Sequence, residues 1–203
     1  MWVESYQAEY LVRLSGSAVH ERDGASGPSG KEIELSKDQK LVAVASISGA
    51  VLMFAALFLL SRLVTPSPGG MTAVAERLAL AAQWNAFAAL PLVLAIASVG
   101  NERFRGPGID PIAGASSRTL TINARVIDNT LQQYALFTAA SFAVAAGADA
   151  SQLPIVSAGA ILFVLLRLAF WIGYRINPLY RAFGMGGTLY LNLTLFAYAA
   201  WIA

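Results

Sequence analysis

Cysteine is absent from the chain, and histidine occurs once, as His20. Without cysteine the protein can form no disulfide, thiolate metal site or cysteine nucleophile, so any thiol chemistry must use a thiol that a ligand brings. The sequence also lacks metal-ligand clusters, Ser/His/Asp arrangements, paired carboxylates for acid/base work and nucleic-acid-binding motifs, so neither a metal centre nor a nucleic-acid partner is expected. Only 13% of the residues are charged, whereas 57% are apolar. This composition excludes an ordinary soluble domain.

Long apolar runs predict five membrane-spanning helices, hence an all-α integral membrane protein. Residues 1–40 are polar and predict a flexible tail, and residues 41–63 predict the first span, which should be retained as an anchor. A Pro/Gly turn then leads to a second span at about 72–99, which Pro91 is expected to kink. The remaining spans are predicted at about 120–147, at about 154–176 and from about 183 to the C-terminus.

The basic residues are distributed unevenly between the two membrane sides that five spans define. Twelve of the fourteen fall on the side of the N-terminus, and only Arg62 and Arg77 fall on the other side. Cytoplasmic segments are enriched in Lys and Arg, so we expect the N-terminus in the cytoplasm, the C-terminus outside and the protein in the cytoplasmic membrane.

A polar block opens the third predicted span. Arg125, Asn129 and Gln132 stand at i, i+4 and i+7, which places them on one helix face, with Gln133 beside them. Such groups at the mouth of a membrane helix are costly unless they meet each other, a ligand or water. This face is therefore predicted to be one wall of a binding site.

The fourth predicted span ends on the same side and supplies a second wall. Its last turns carry Arg167, Phe170, Trp171 and Tyr174, and a turn broken by Asn-Pro leads to Arg181. With Arg125, Arg175 and only Asp128 as a nearby counter-charge, these residues form a cluster with excess positive charge. An anionic ligand would complete it.

These two motifs together resemble the MAPEG family, the membrane-associated proteins in eicosanoid and glutathione metabolism. The resemblance spans about residues 74–203 and implies a four-helix membrane domain, to which residues 41–63 add one helix. It also implies a homotrimer that binds glutathione between subunits, near the cytoplasmic face. Family members are glutathione transferases, peroxidases, lipid-mediator synthases and a non-enzymatic lipid-binding protein.

The resemblance assigns a role to each matching residue. Arg181 corresponds to the arginine that stabilises the glutathione thiolate. The binding residues that it implies are Arg125, Asn129, Gln132, Tyr174 and Arg167. Gln132 stands where the family usually has Glu, and Phe170 stands where many of its enzymes have Tyr. The implied activity is a glutathione-dependent transferase or peroxidase acting on a lipophilic electrophile.

Other interpretations of the same residues remain open. Arg125 could extend to lipid phosphates, Asn129 and Gln132 could be interhelical hydrogen-bond partners, and Trp171 could belong to an interfacial aromatic belt. The glycines at 184, 186 and 187 favour close helix packing over a phosphate loop. The alternative function is a non-catalytic lipid- or anion-binding scaffold of the same fold. A small transporter ranks last, because no internal repeat is found.

Overall fold

The apolar runs of the sequence form helices in the computed structural model, which describes residues 35–64, 71–106 and 117–203. Within these ranges all regular secondary structure is helical, which confirms the predicted fold class. The predictions for the tail up to residue 34, for the turn at 65–70 and for residues 107–116 fall outside the described residues. The helices are α1 (Lys37–Leu63), α2 (Val74–Ala88), α3 (Leu90–Arg105), α4 (Arg118–Gly147), α5 (Pro154–Ile176) and α6 (Arg181–Ile202).

Side-chain caps and prolines determine where several helices begin. Ser36 and Gln39 form a capping box, in which the Ser36 backbone N–H donates to Gln39 Oε1 (2.8 Å) and the Gln39 backbone N–H donates to Ser36 Oγ (3.2 Å). This box starts α1 at Lys37, before the predicted residue 41. Ser117 caps α4 through the backbone N–H of Leu120 (2.9 Å), and Pro154 occupies the first turn of α5.

The second predicted span is interrupted, as Pro91 suggested, and forms α2 and α3. The break lies at Ala89, two residues before the proline. Pro91 has no backbone N–H, so it cannot bond to the carbonyl of Phe87 one turn earlier. The chain passes the break with the Ala89 N–H bonded to the Asn85 carbonyl (3.0 Å).

The helices alternate in direction, with α2 and α3 counted as one pass. Contacts between neighbouring helices show that α4 runs antiparallel to α2 and α5, and that α6 runs parallel to α1 and α4. Five successive crossings of a membrane require this pattern. The contacts that establish it are Asn85 with Ser141, Arg77 with Ala145, Asn123 with Trp171, Asn129 with Arg167, Gln133 with Asn192, Gly147 with Ile202, Ser46 with Ala182 and Gly49 with Gly187.

Three helical segments among the described residues are long and apolar enough to cross a membrane: Lys37–Leu63, Val74–Arg105 and Pro154–Ile176. The other two segments, α4 and α6, have 30 and 22 residues and are not among these three candidate spans. Part of their polar content is used inside the bundle. Asn192 Nδ2 donates to Gln133 Oε1 (2.9 Å), and the Asn85 amide pairs with the Ser141 hydroxyl (2.9 Å). Such bonds hold membrane helices together where apolar burial cannot.

Arg77 links two helices at the end of the bundle that lies away from Arg125. Its Nε donates to the Ala145 carbonyl and its Nη2 donates to the Ala146 carbonyl, both at 3.1 Å. These carbonyls belong to the last turn of α4, where no intrahelical N–H follows to bond them. A cation at this helix end also interacts favourably with the helix dipole. Arg77 therefore ties α2 to the end of α4.

Replacing Arg77 should destabilise the bundle. We expect Arg77→Ala to lower the free energy of unfolding by about 1–3 kcal/mol, because the carbonyls of α4 lose charged hydrogen-bond donors. Thermal unfolding in detergent measures this loss. The matched control is Arg62→Ala, since the exposed Arg62 guanidinium only lies 5.1 Å above the Phe58 ring and should contribute less than about 1 kcal/mol. Equal losses in the two variants would contradict the assigned role of Arg77.

Candidate functional site at the mouth of α4, α5 and α6

Tyr174 contacts both Arg125 and Arg181, two of the arginines that the sequence analysis placed near helix ends. Arg125 Nη1 lies 3.5 Å from the Tyr174 hydroxyl, and the Arg181 guanidinium lies 4.9 Å above the Tyr174 ring. Tyr174 is buried, whereas Arg125 is exposed and Arg181 is partly exposed. One aromatic side chain thus separates two cations that approach from α4 and α6. The arrangement presents two guanidinium groups to a ligand that sits at this end of the bundle.

The turn between α5 and α6 brings Arg181 back to Tyr174. Asn177 starts the turn, with its Oδ1 accepting from the Leu179 N–H and its carbonyl accepting from the Tyr180 N–H, both at 2.9 Å. Gly173 makes room for the returning chain, because a methyl group there would lie 2.8 Å from the Tyr180 carbonyl oxygen. Only glycine allows this approach without a backbone shift.

Arg167 lies about two turns deeper and is 1% exposed. Its Nη2 donates to Asn129 Oδ1 at 2.9 Å, and its guanidinium stacks 4.0 Å above the Phe170 ring. Its Nε and Nη1 have no hydrogen-bond partner among the described residues. A buried guanidinium with two unused donors is costly, so it creates a strong preference for an acceptor-bearing group at this point.

The interface between α4 and α5, here called the α4–α5 seam, contains a second buried side chain with an unused donor. Asn123 accepts the indole N–H of Trp171 through its Oδ1 (2.9 Å), while its Nδ2 has no partner among the described residues and its side chain is fully buried. Between α4 and α5 the described residues therefore offer more donors than acceptors. A carboxylate, phosphate or peptide carbonyl matches such a surface, whereas a cation does not.

A family model identifies the domain that carries these residues. The model of the MAPEG family matches residues 81–201, which include all of α4 and α5 and nearly all of α6. The chain belongs to the MAPEG family. The match begins within α2, so α1 lies outside it. Searches of curated proteins and of solved structures returned no significant match to the chain.

The MAPEG domain brings some of the predicted site residues together and leaves others apart. Arg125, Tyr174 and Arg181 form one group, and Asn129 and Arg167 form a second. Gln132 is exposed on the outer face of α4 and joins neither group within the chain. The neighbouring Gln133 is the buried amide, and it bonds Asn192 of α6.

The other charged residues of the predicted cluster lie at its edge. Asp128 is exposed and forms no ion pair with the site arginines, while the exposed Arg175 lies 5.7 Å above the Trp171 ring. Among the residues that the structure describes, no group of three or more His, Asp or Glu side chains could hold a metal ion. The guanidinium groups of Arg125 and Arg181 at Tyr174 could stabilise an anion electrostatically.

Two side chains have uses that the sequence did not reveal. Trp171 bonds to Asn123 across the α4–α5 seam, although its position suggested an interfacial belt. Asn123 itself was not predicted as a seam residue. Asn123 is one more amide on α4, two residues before Arg125, and this could have indicated its role. Amides near a helix end are also common where they contact only water, so the position alone does not predict a partner.

The energetic coupling between Asn129 and Arg167 can be measured with a double-mutant cycle. We expect Asn129→Ala to cost about 1–3 kcal/mol of unfolding free energy, because it removes the hydrogen-bond acceptor of a buried cation. In an Arg167→Met background the same change should cost much less. Arg167→Met itself should leave thermal stability unchanged or raise it, since methionine buries no charge. Additive effects of the two substitutions would show that the contact contributes nothing.

Proposed function

We propose that this MAPEG protein is a glutathione-dependent transferase or peroxidase that acts on a lipophilic electrophile within the membrane. The observation that carries the proposal is the meeting of Arg125 and Arg181 at Tyr174, at one end of the bundle. The MAPEG family includes glutathione transferases, peroxidases and non-catalytic members. In this proposal Arg181 stabilises the thiolate, and Arg125, Asn129 and Arg167 bind the carboxylates and amides of the peptide.

The charge of Arg181 is sufficient for the proposed role. A free thiol has a pKa near 8.5, and a guanidinium about 4 Å away at an effective dielectric constant of about 20 stabilises the thiolate by up to roughly 4 kcal/mol. This corresponds to almost three pKa units before desolvation is subtracted. The bound thiol would then be mostly thiolate at neutral pH. The thiolate can displace a leaving group from an electrophilic carbon to form a thioether. It can also attack the outer oxygen of a hydroperoxide, which breaks the O–O bond, oxidises the thiolate to a sulfenic acid and releases an alkoxide.

The exposed residues of α4 suggest how the site is completed. Arg125 and Gln132 both lie on the outer face of this helix, although a polar face is costly against lipid. We infer that the face meets another protomer of a homotrimer and that the ligand binds between protomers. The proposed location is the cytoplasmic membrane, with the N-terminus in the cytoplasm and the C-terminus outside, because the basic residues concentrate on the side of the N-terminus.

The test of the proposal is the absorbance of a thiolate when glutathione is added to the purified protein. We expect a thiolate signal at pH 7 in the wild type. In Arg181→Ala the thiol pKa should return towards 8.5, which leaves only about 3% thiolate. Glutathione should still bind, since Arg125 and Asn129 remain.

The control for this experiment is Arg103→Ala. Arg103 is an exposed arginine in the last turn of α3, whose neighbour Glu102 bonds Ser117 at the start of α4. Its removal tests whether the loss of another arginine at the same end of the bundle is sufficient. We expect the thiolate signal to persist. A wild type that binds glutathione without a thiolate signal would contradict the catalytic proposal.

One observation favours the non-catalytic alternative. The unused donors of Arg167 and Asn123 suit a plain anion, and no carboxylate among the described residues pairs with the site arginines. Under this alternative the protein is a scaffold that binds an anionic lipid. A fatty acid would then bind with a dependence on Arg167, and glutathione would produce no thiolate.

A further inference from the structure

The helix outside the MAPEG domain, α1, packs against the helix that carries Arg181. Its buried residues are Gly49, Ala50, Met53 and Leu57, which lie on one stripe of the helix. The rest of its surface is mostly exposed and apolar, as suits contact with lipid. The buried stripe faces α6 and α5. The added helix therefore packs on two of the three helices that form the site.

At this contact the backbones of α1 and α6 touch. A methyl group at Gly49 would lie 3.1 Å from the Phe183 carbonyl carbon, and one at Gly186 would lie 2.8 Å from the Cα of Ser46. One at Gly187 would lie 3.1 Å from the Gly49 carbonyl oxygen. No side chain fits between the two helices here, so their separation depends on glycine in both. The prediction that these glycines serve close helix packing is confirmed.

The contact lies directly beside Arg181. Ser46 Oγ donates to the carbonyl of Ala182, the next residue, at 3.3 Å. On the other side of the same turns, Gly184 lies against α5, where a methyl group would be 2.7 Å from the Cα of Phe170. The first turns of α6 are thus held between α5 and α1. The position of Arg181 over Tyr174 therefore depends on the packing of α6 against both α5 and α1.

We propose that α1 positions Arg181 for thiolate stabilisation, with Ser46 and Gly49 as positioning residues. This inference rests on the proposed function, because it assigns α1 an effect on the thiolate. If α1 packs less closely against α6, the first turn of α6 can shift relative to Tyr174. A retreat of the guanidinium from about 4 to about 6 Å from the sulfur raises the thiol pKa by about one unit at an effective dielectric constant of about 20.

The experiment is a pH titration of the thiolate absorbance of the full chain with glutathione bound. Ser46→Ala removes the hydroxyl that bonds Ala182, and Gly49→Ala separates the two backbones. We expect both to raise the pH midpoint of the thiolate signal by about 0.5–1 unit, while the glutathione dissociation constant, measured below this midpoint where the bound thiol is protonated, changes by less than about threefold. Ser46→Thr keeps the hydroxyl and should restore the wild-type midpoint.

Each variant has a matched control in the same chain. Ser48→Ala removes an exposed hydroxyl that bonds only the Ala45 carbonyl of its own helix (3.0 Å). Gly100→Ala adds a methyl group where nothing lies within 4 Å. Both should keep the wild-type midpoint and the wild-type affinity.

The outcomes separate this inference from the proposed function. If the wild type shows a thiolate and both α1 variants match their controls, the positioning role is wrong and the proposed function stands. If the variants lose glutathione binding together with the thiolate, α1 has a general structural role and the positioning role is again overturned. If Gly49→Ala does not fold, the Ser46 series decides alone. If the wild type shows no thiolate, the proposed function fails and this inference fails with it.

Discussion

The cost of burying Arg167 governs the arrangement of the site. A guanidinium inside a membrane bundle needs hydrogen-bond acceptors and counter-charge, and here it has one amide oxygen from Asn129 and the face of the Phe170 ring. The bond to Asn129 joins α5 to α4 about two turns away from Tyr174, whereas Phe170 lies on α5 itself. These partners also leave two donors unused. The same contact that aligns the helices therefore leaves an unmet requirement for an anion or another acceptor.

Hydrogen-bonded polar pairs and close backbone contacts stabilise this bundle, whereas the hydrophobic effect stabilises the helix bundles of soluble proteins. Apolar side chains gain little by leaving lipid, so the helices are held by amides and hydroxyls facing each other and by glycines that permit close approach. Asn192 with Gln133 and Asn85 with Ser141 supply the first kind of contact. Gly184 and Gly186 supply the second, against α5 and α1. The glycine contacts lie in the first turns of α6, near Arg181, whereas Asn192 lies about three turns further along the same helix.

A chain without cysteine can carry out thiol chemistry only by holding the thiol of a ligand. What the protein supplies is a fixed arrangement of positive charge, and the value of that charge depends on distance. Arg181 acts at its proposed position only if the first turn of α6 stays in place. The α5–α6 turn, Gly173 and the contact with α1 all bear on that turn. Under the proposed function, α1 therefore affects the ionisation of the thiol without touching it.

The sequence by itself determined the class of the protein, because membrane helices are encoded in local composition and length. It predicted where the helices lie, the break near Pro91 and the MAPEG motifs around Arg125 and Tyr174. It could not distinguish Gln132, which faces outward, from Gln133, which pairs with Asn192. Helical periodicity shows which residues share a face, but it does not show which helix packs against that face. Nor could it show that α1 meets α6 beside Arg181. These contacts join residues 59 positions apart for Gln133 with Asn192 and 136 positions apart for Ser46 with Ala182, so only the tertiary structure decided them.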